Sequence, residues 1–197
     1  MSKSVFESGE KMKTNINNYT TWSKTYLMAM TGVMTAVTCI LAPFSIPIGP
    51  VPISFTNLAI FFALYLLGWK MGTVSCMLYI FIGMIGMPVF SGFSGGLGKL
   101  LGPTGGYIIG FIPMAVLSGI IIDHSRSHIL HFLGMILGTA LCYALGTAWF
   151  CVVMDTNVMA ALSLCVLGFI PGDFVKIGIA ATLGPLLRNR ISTCMDI

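Results

Sequence analysis

Apolar and polar positions fall in long blocks along this chain. A polar stretch covers residues 1–23, and between Lys24 and Arg188 the only strong acid or base side chains are Lys70, Lys99, Asp123, Arg126, Asp155, Asp173 and Lys176. A helix needs about 20 apolar residues, or about 17 where the bilayer thins, to cross a hydrocarbon core about 30 Å thick. Six segments meet that requirement, at about 24–43, 54–69, 71–87, 105–122, 130–152 and 171–187. A seventh apolar stretch, Val158 to Ile170, is too short to cross. The pattern predicts an all-α integral membrane protein, with six transmembrane helices in one bundle and a Gly-rich outer loop between helices 3 and 4.

Two connections interrupt the apolar pattern. Pro43, Pro47, Pro50 and Pro52 fall within ten residues; they remove backbone donors and forbid helix continuation, which predicts a stiff, extended strap. From Gly86 to Gly106 the chain carries Pro88, Gly92, Gly95, Gly96, Gly98, Gly102, Pro103 and Gly105, which rules out a regular helix. Irregular backbone at membrane depth is tolerated only where protein or a water-filled cavity satisfies its N–H and C=O groups. That loop is expected to cap a cavity, although small residues also serve close helix packing.

Composition agrees with the pattern. Charged residues make up 8 % of the chain and hydrophobic residues 56 %, against about a quarter charged in soluble domains. The division is a mobile N-terminal tail at 1–23, a membrane domain at 24–190 and a C-terminal tail at 191–197. The first apolar run is too long for a signal peptide's hydrophobic region and no small-x-small site follows it. A cytoplasmic N-terminus puts Lys3, Lys11, Lys13, Lys24, Lys70, Arg126, Arg188 and Arg190 on the inner side, eight of the ten Lys and Arg residues; only Lys99 falls in an outer loop. By the positive-inside rule both termini of a six-span bundle are cytoplasmic. The net charge of +4 is spread over membrane-flanking loops without a basic stripe, which excludes nucleic acid as a partner. The six cysteines stand singly, without metal-ligand spacing, and read as small hydrophobes.

The strongest anomaly is Pro171-Gly172-Asp173-Phe174-Val175-Lys176, where two opposite charges enter the membrane together at the start of the last helix. A charge at the bilayer centre costs about 2.5–3.5 kcal/mol on insertion scales. Asp173 falls in the first helical turn, favoured by the helix dipole, and Lys176 projects from the same face three residues on. One reading is a self-satisfying ion pair that fixes packing. The other is a ligand site in which Lys176 meets an anionic group and Asp173 orients it or accepts from ligand N–H groups. Lys99 is a second candidate for an anion, or a snorkelling outer-loop lysine. Tyr79, Tyr107 and Tyr143 offer ring faces and hydroxyls to an apolar pocket. Ala29, Gly32 and Ala36 put small residues on one face of the first helix, where another helix can approach closely. His124, His128 and His131 cluster at a turn without a Cys or acidic ligand set and read as a solvated loop, with no metal site.

At these residues the chain resembles the BioY family of biotin-specific S components of energy-coupling factor (ECF) transporters, over about Met28 to Arg188. The resemblance is carried by Ile46-Pro47-Ile48-Gly49-Pro50-Val51-Pro52-Ile53, by Gly86-Met87-Pro88-Val89-Phe90, by Gly102-Pro103-Thr104-Gly105-Gly106-Tyr107, and by Pro171-Gly172-Asp173 with Lys176. It implies a six-helix bundle that binds biotin near the outer face, under the loop after the third helix. The implied ligand residues are Asp173 and Lys176 with the signature loop Thr104, Gly105, Gly106 and Tyr107, meeting a ureido ring and a valerate carboxylate. Lys99 and Tyr79 complete the candidate set. The implied partners are a membrane coupling protein and two cytoplasmic ATPases, docking on the face of Ala29, Gly32 and Ala36. No cofactor is implied, because biotin is the transported ligand. One departure is the start of the second helix, where many relatives have Gln and this chain has Thr56 and Asn57; no role is assigned to that turn.

Two other classes are weighed against this reading. A self-sufficient secondary transporter or channel for a small carboxylate-bearing metabolite would show inverted repeats, and no internal symmetry is visible. A membrane enzyme using Asp173 and Lys176 as acid and base lacks an accompanying nucleophile or metal set. The chain has no Walker A motif for ATP hydrolysis.

Overall fold

The computed structural model describes residues 24–46, 51–125, 127–165 and 168–195; the predicted N-terminal tail lies outside them. The order is α1 (Lys24–Leu41), β1 (Ser45–Ile46), β2 (Ile53–Ser54), α2 (Thr56–Met84), α3 (Leu97–Leu101), α4 (Gly105–His124), α5 (His128–Met154), α6 (Val158–Cys165) and α7 (Ile170–Met195). Five of these helices, α1, α2, α4, α5 and α7, are long and apolar enough to cross a membrane.

The expected separate helices at 54–69 and 71–87 appear as one element, α2, with a break at Gly68 (φ 77°, ψ 173°). This left-handed φ is open to glycine at little steric cost. A Cβ built on Gly72 would lie 3.0 Å from the Cα of Leu64, whereas eight residues of straight helix rise about 12 Å. The chain therefore folds back at Gly68, and α2 is a helical hairpin with arms 56–67 and 69–84. The other helix bounds differ by smaller amounts: α5 begins and ends two residues outside its predicted range, and α7 continues to Met195, eight residues past its predicted end. The apolar stretch too short to cross forms the helix α6 over its first eight residues.

α2 sits at the centre, packing against α1, α4 and α7, while α4 and α5 pair along their lengths. Its inward face supplies the fully buried Ile60, Phe61, Leu64, Tyr65 and Tyr79. α1 turns Thr31, Thr35 and Thr38 inward. Each hydroxyl donates to a carbonyl one turn back, at 2.7 to 2.8 Å, and Thr35 also meets the Ser75 hydroxyl at 3.0 Å. These bonds answer the polar groups of α1 without water, as a lipid setting requires.

The proline strap is extended where it is described. β1 and β2 pair antiparallel, Ser45 opposite Ser54 and Ile46 opposite Ile53. The glycine-rich segment is irregular apart from the short α3, and its backbone is answered by protein. Gly96 N–H donates to the Gly83 carbonyl at 2.7 Å and Gly92 N–H to the Pro43 carbonyl at 3.0 Å. Phe90 is fully buried and meets the Tyr79 ring edge-on at 5.7 Å.

The histidine turn differs from the solvated loop expected of it. His124 and His128 are exposed but His131 is buried in the bundle, with Nε2 2.9 Å from the Ser125 carbonyl and its ring edge-on to Tyr65. It begins the second turn of α5, where the inward face is already set by helix pairing.

Candidate functional site

The first two turns of α7 place its two charges on the inward face. Asp173 and Lys176 are 6 % and 7 % exposed, and Lys176 Nζ lies 2.9 Å from Asp173 Oδ1. Three other elements converge on the pair. β2 offers the Ser54 carbonyl, which accepts from Lys176 Nζ at 2.6 Å. The first turn of α2 offers Asn57, whose Nδ2 donates to Asp173 Oδ2 at 3.1 Å. α5 offers Tyr143, whose hydroxyl donates to the same Oδ2. The ion pair is therefore not closed on itself.

These groups border a cavity of about 50 Å3 whose walls include Val51, Ile53, Tyr107, Phe111, Cys142 and Phe169. Phe169 stands edge-on to Tyr107 at 6.5 Å and tilted against Tyr143 at 6.2 Å. The Phe55 ring lies 6.0 Å from Lys176 Nζ. An ammonium has three N–H donors, and two point at Asp173 and Ser54, which leaves one for a ligand acceptor. The site is neutral overall, apolar on most sides, and presents one donor beside one carboxylate. That combination suits a small molecule with a polar, amide-like end carrying both C=O and N–H, and an apolar body.

The structure brings Asp173, Lys176 and Tyr107 together around this cavity. Tyr107 also shares a hydrogen bond of 3.1 Å with the Thr147 hydroxyl. The other candidates stand elsewhere. Thr104 is buried beside the start of α4, its hydroxyl without a hydrogen-bond partner. Gly105 and Gly106 serve close packing: a Cβ on Gly105 would fall 1.6 Å from the Leu100 carbonyl oxygen, and one on Gly106 2.2 Å from Trp149 Cβ. Tyr79 is packed on Phe90, and Lys99 lies on α3. None of these five is among the cavity's walls. On α1, the faces of Ala29, Gly32 and Ala36 are exposed.

Asn57 is the contact the sequence reading set aside, because that turn departs from the pattern of many relatives. The signal was present: a carboxamide at the start of an apolar helix has four hydrogen-bonding positions to answer and no water to answer them. The Ser54 carbonyl left no trace in the sequence, since every residue has one. Among the described residues no group of three or more potential metal ligands occurs.

Comparison with known proteins identifies the family. The sequence profile of the BioY family matches residues 12–193. A protein of Thermotoga maritima named biotin transporter BioY is 34 % identical over 161 residues, 80 % of this chain and 93 % of that protein. The probable biotin transporter BioY of Pyrococcus horikoshii is 34 % identical over 163 residues, covering 83 % of this chain and 96 % of that one. Among solved structures, the S-component for biotin from an ECF-type ABC transporter superposes with a TM-score of 0.78 at 32 % identity, over 84 % of this chain and 92 % of that chain. With its several apolar helices, the chain is a multi-pass membrane protein.

Proposed function

The chain belongs to the BioY family, and from that premise we propose that it captures biotin as the substrate-binding S component of an ECF-type importer. The observation that carries the reading is the buried Asp173 and Lys176 pair opening on a cavity. Its free donor and carboxylate match the C=O and N–H groups of a ureido ring, and its apolar walls suit the rest of the vitamin. Relatives named as biotin transporters support the same ligand.

In this reading the membrane domain crosses six times, with each arm of α2 counted as one crossing and both termini in the cytoplasm. The arms 56–67 and 69–84 extend about 18 and 24 Å, so the bilayer thins around them. The glycine-rich segment between the third and fourth crossings forms the outer cap of the site, and Thr104 to Tyr107 with Lys99 and Tyr79 belong to its wider surroundings. A coupling protein docks along Ala29, Gly32 and Ala36, whose exposure leaves room for a close helix contact. Two cytoplasmic ATPases drive delivery, and the chain itself performs no covalent chemistry.

Equilibrium binding of labelled biotin to the purified full chain tests this. We expect one biotin per chain, recovered unchanged, with Lys176→Ala weakening binding far more than Lys70→Ala. Equal affinities in the two variants, or no binding by the wild type, would overturn the assignment.

A further inference from the structure

The cavity is small, and one of the two oxygens of its carboxylate already carries two donors, while the other accepts from Lys176. Small-molecule sites commonly enclose about 300 Å3 or more, whereas the cavity beside Asp173 and Lys176 measures about 50 Å3. A carboxylate oxygen has about two lone pairs, and those of Asp173 Oδ2 are taken by Asn57 and Tyr143. A ligand N–H arriving at that oxygen has to displace one of the two donors, and the cavity of about 50 Å3 has to widen to take the ligand body.

Tyr143 satisfies both requirements. Its side chain forms a wall of the site cavity and also of two further apolar spaces, one of which borders Asp173 as well. One, of about 220 Å3, lies along Ile136, Thr139 and Phe174. The other, of about 430 Å3, lies along Ala140, Ala144, Ala148 and Leu162. The small side chains of α5 leave the phenol ring somewhere to go. Asn57, 8 % exposed in the first turn of central α2, has the bundle core behind it.

We infer that Tyr143 is a displaceable stand-in for the ligand. In this structure its hydroxyl occupies Asp173 Oδ2; on binding its ring withdraws toward the α5 groove, giving the oxygen to a ligand N–H and its own volume to the ligand. This rests on the proposed function, with a small N–H-bearing ligand such as biotin at Asp173. Tyr143 is thus a gating and specificity residue, in competition with the ligand and not in support of it.

The test is biotin binding to the purified full chain, with rates and affinity read together. Tyr143→Phe removes the competing hydroxyl and keeps the ring, and should tighten binding about threefold to tenfold. Ala144→Leu fills the groove behind the ring and should weaken binding about tenfold or more, by making the withdrawn state rare. In a Tyr143→Ala background that penalty should vanish, because no ring is left to accommodate. Weaker binding by Tyr143→Phe would overturn the inference, since the hydroxyl would then be a contact kept in the bound state. So would an Ala144→Leu penalty that persists without the ring, or the absence of one in protein that unfolds at the wild-type temperature. If Ala144→Leu does not fold, Tyr143→Phe alone decides. A wild type that binds no biotin overturns the proposed function itself, whereas a binding wild type with the wrong variant signs overturns only the role of Tyr143.

Discussion

Two acid and base pairs stand at opposite ends of this bundle. At one end Asp173 and Lys176 lie 2.9 Å apart, with side chains 8 % and 9 % exposed, and their remaining valences reach Asn57, Tyr143, the Ser54 carbonyl and a cavity. At the other, Asp123 and Arg188 stand 3.8 Å apart and more open, at 13 % and 28 %. There Asp123 Oδ2 accepts the backbone N–H of Trp69 at 2.7 Å, tying the end of α4 to the turn at Gly68. The first pair keeps hydrogen-bonding capacity facing a void, and the second spends its capacity on backbone at a chain reversal. The two acid and base pairs thus differ in what borders the charges: a cavity and side-chain donors at one end, a backbone N–H at a chain reversal at the other.

The comparison can be broken most decisively at Asp173. Asp173→Asn should weaken biotin binding on the order of 100-fold or more, because a charge-assisted hydrogen bond is lost and the Lys176 charge is left buried without its partner. Asp123→Asn should leave affinity within about twofold, since no ligand contact is removed. Isothermal titration of both variants checks this, and comparable losses would erase the distinction between the two ends.

Stability should separate the pairs next. Lys176→Met alone should destabilise by about 3 kcal/mol or more by stranding a buried carboxylate, and adding Asp173→Asn should recover part of that without restoring biotin binding. Arg188→Gln, at a looser and more open pair, should cost about 1 kcal/mol or less. Thermal unfolding of the four proteins in one detergent reads this directly, and a double variant no more stable than Lys176→Met would contradict it.

A smaller effect sharpens the site itself. Asn57→Ala removes one of the donors on Asp173 Oδ2 and should change biotin affinity by about tenfold at most, with the unfolding temperature lowered. An unchanged affinity together with an unchanged unfolding temperature would show that the Asn57 bond has no part in holding the carboxylate.

Much of the architecture was legible because lipid is an exacting solvent. Long apolar blocks have few alternatives to helix, so α1, α4, α5 and α7 appear within a few residues of their predicted starts. Charges inside such blocks stand out, which is how Asp173 and Lys176 were found. Between the segments predicted at 54–69 and 71–87 the chain breaks at Gly68, a position that the hydropathy pattern does not single out. Tyr143 was legible only as one of three tyrosines that could face a pocket, and Asn57 was harder still. Each acquires its contact only from a carboxylate contributed by α7, 30 and 116 residues away in the chain.

The amino-acid order alone determined that this chain is a helical membrane protein, where its helices start, and that an acid and a base enter the bilayer together on one face of the last helix. These are local consequences of hydropathy and helical periodicity, decided within some twenty residues. Only the tertiary structure decided which groups from β2, α2 and α5 meet that pair, and that Gly105 and Gly106 are spent on close packing. It also decided that the void lies beside Asp173, because convergence and empty space belong to several segments at once and to none of them singly.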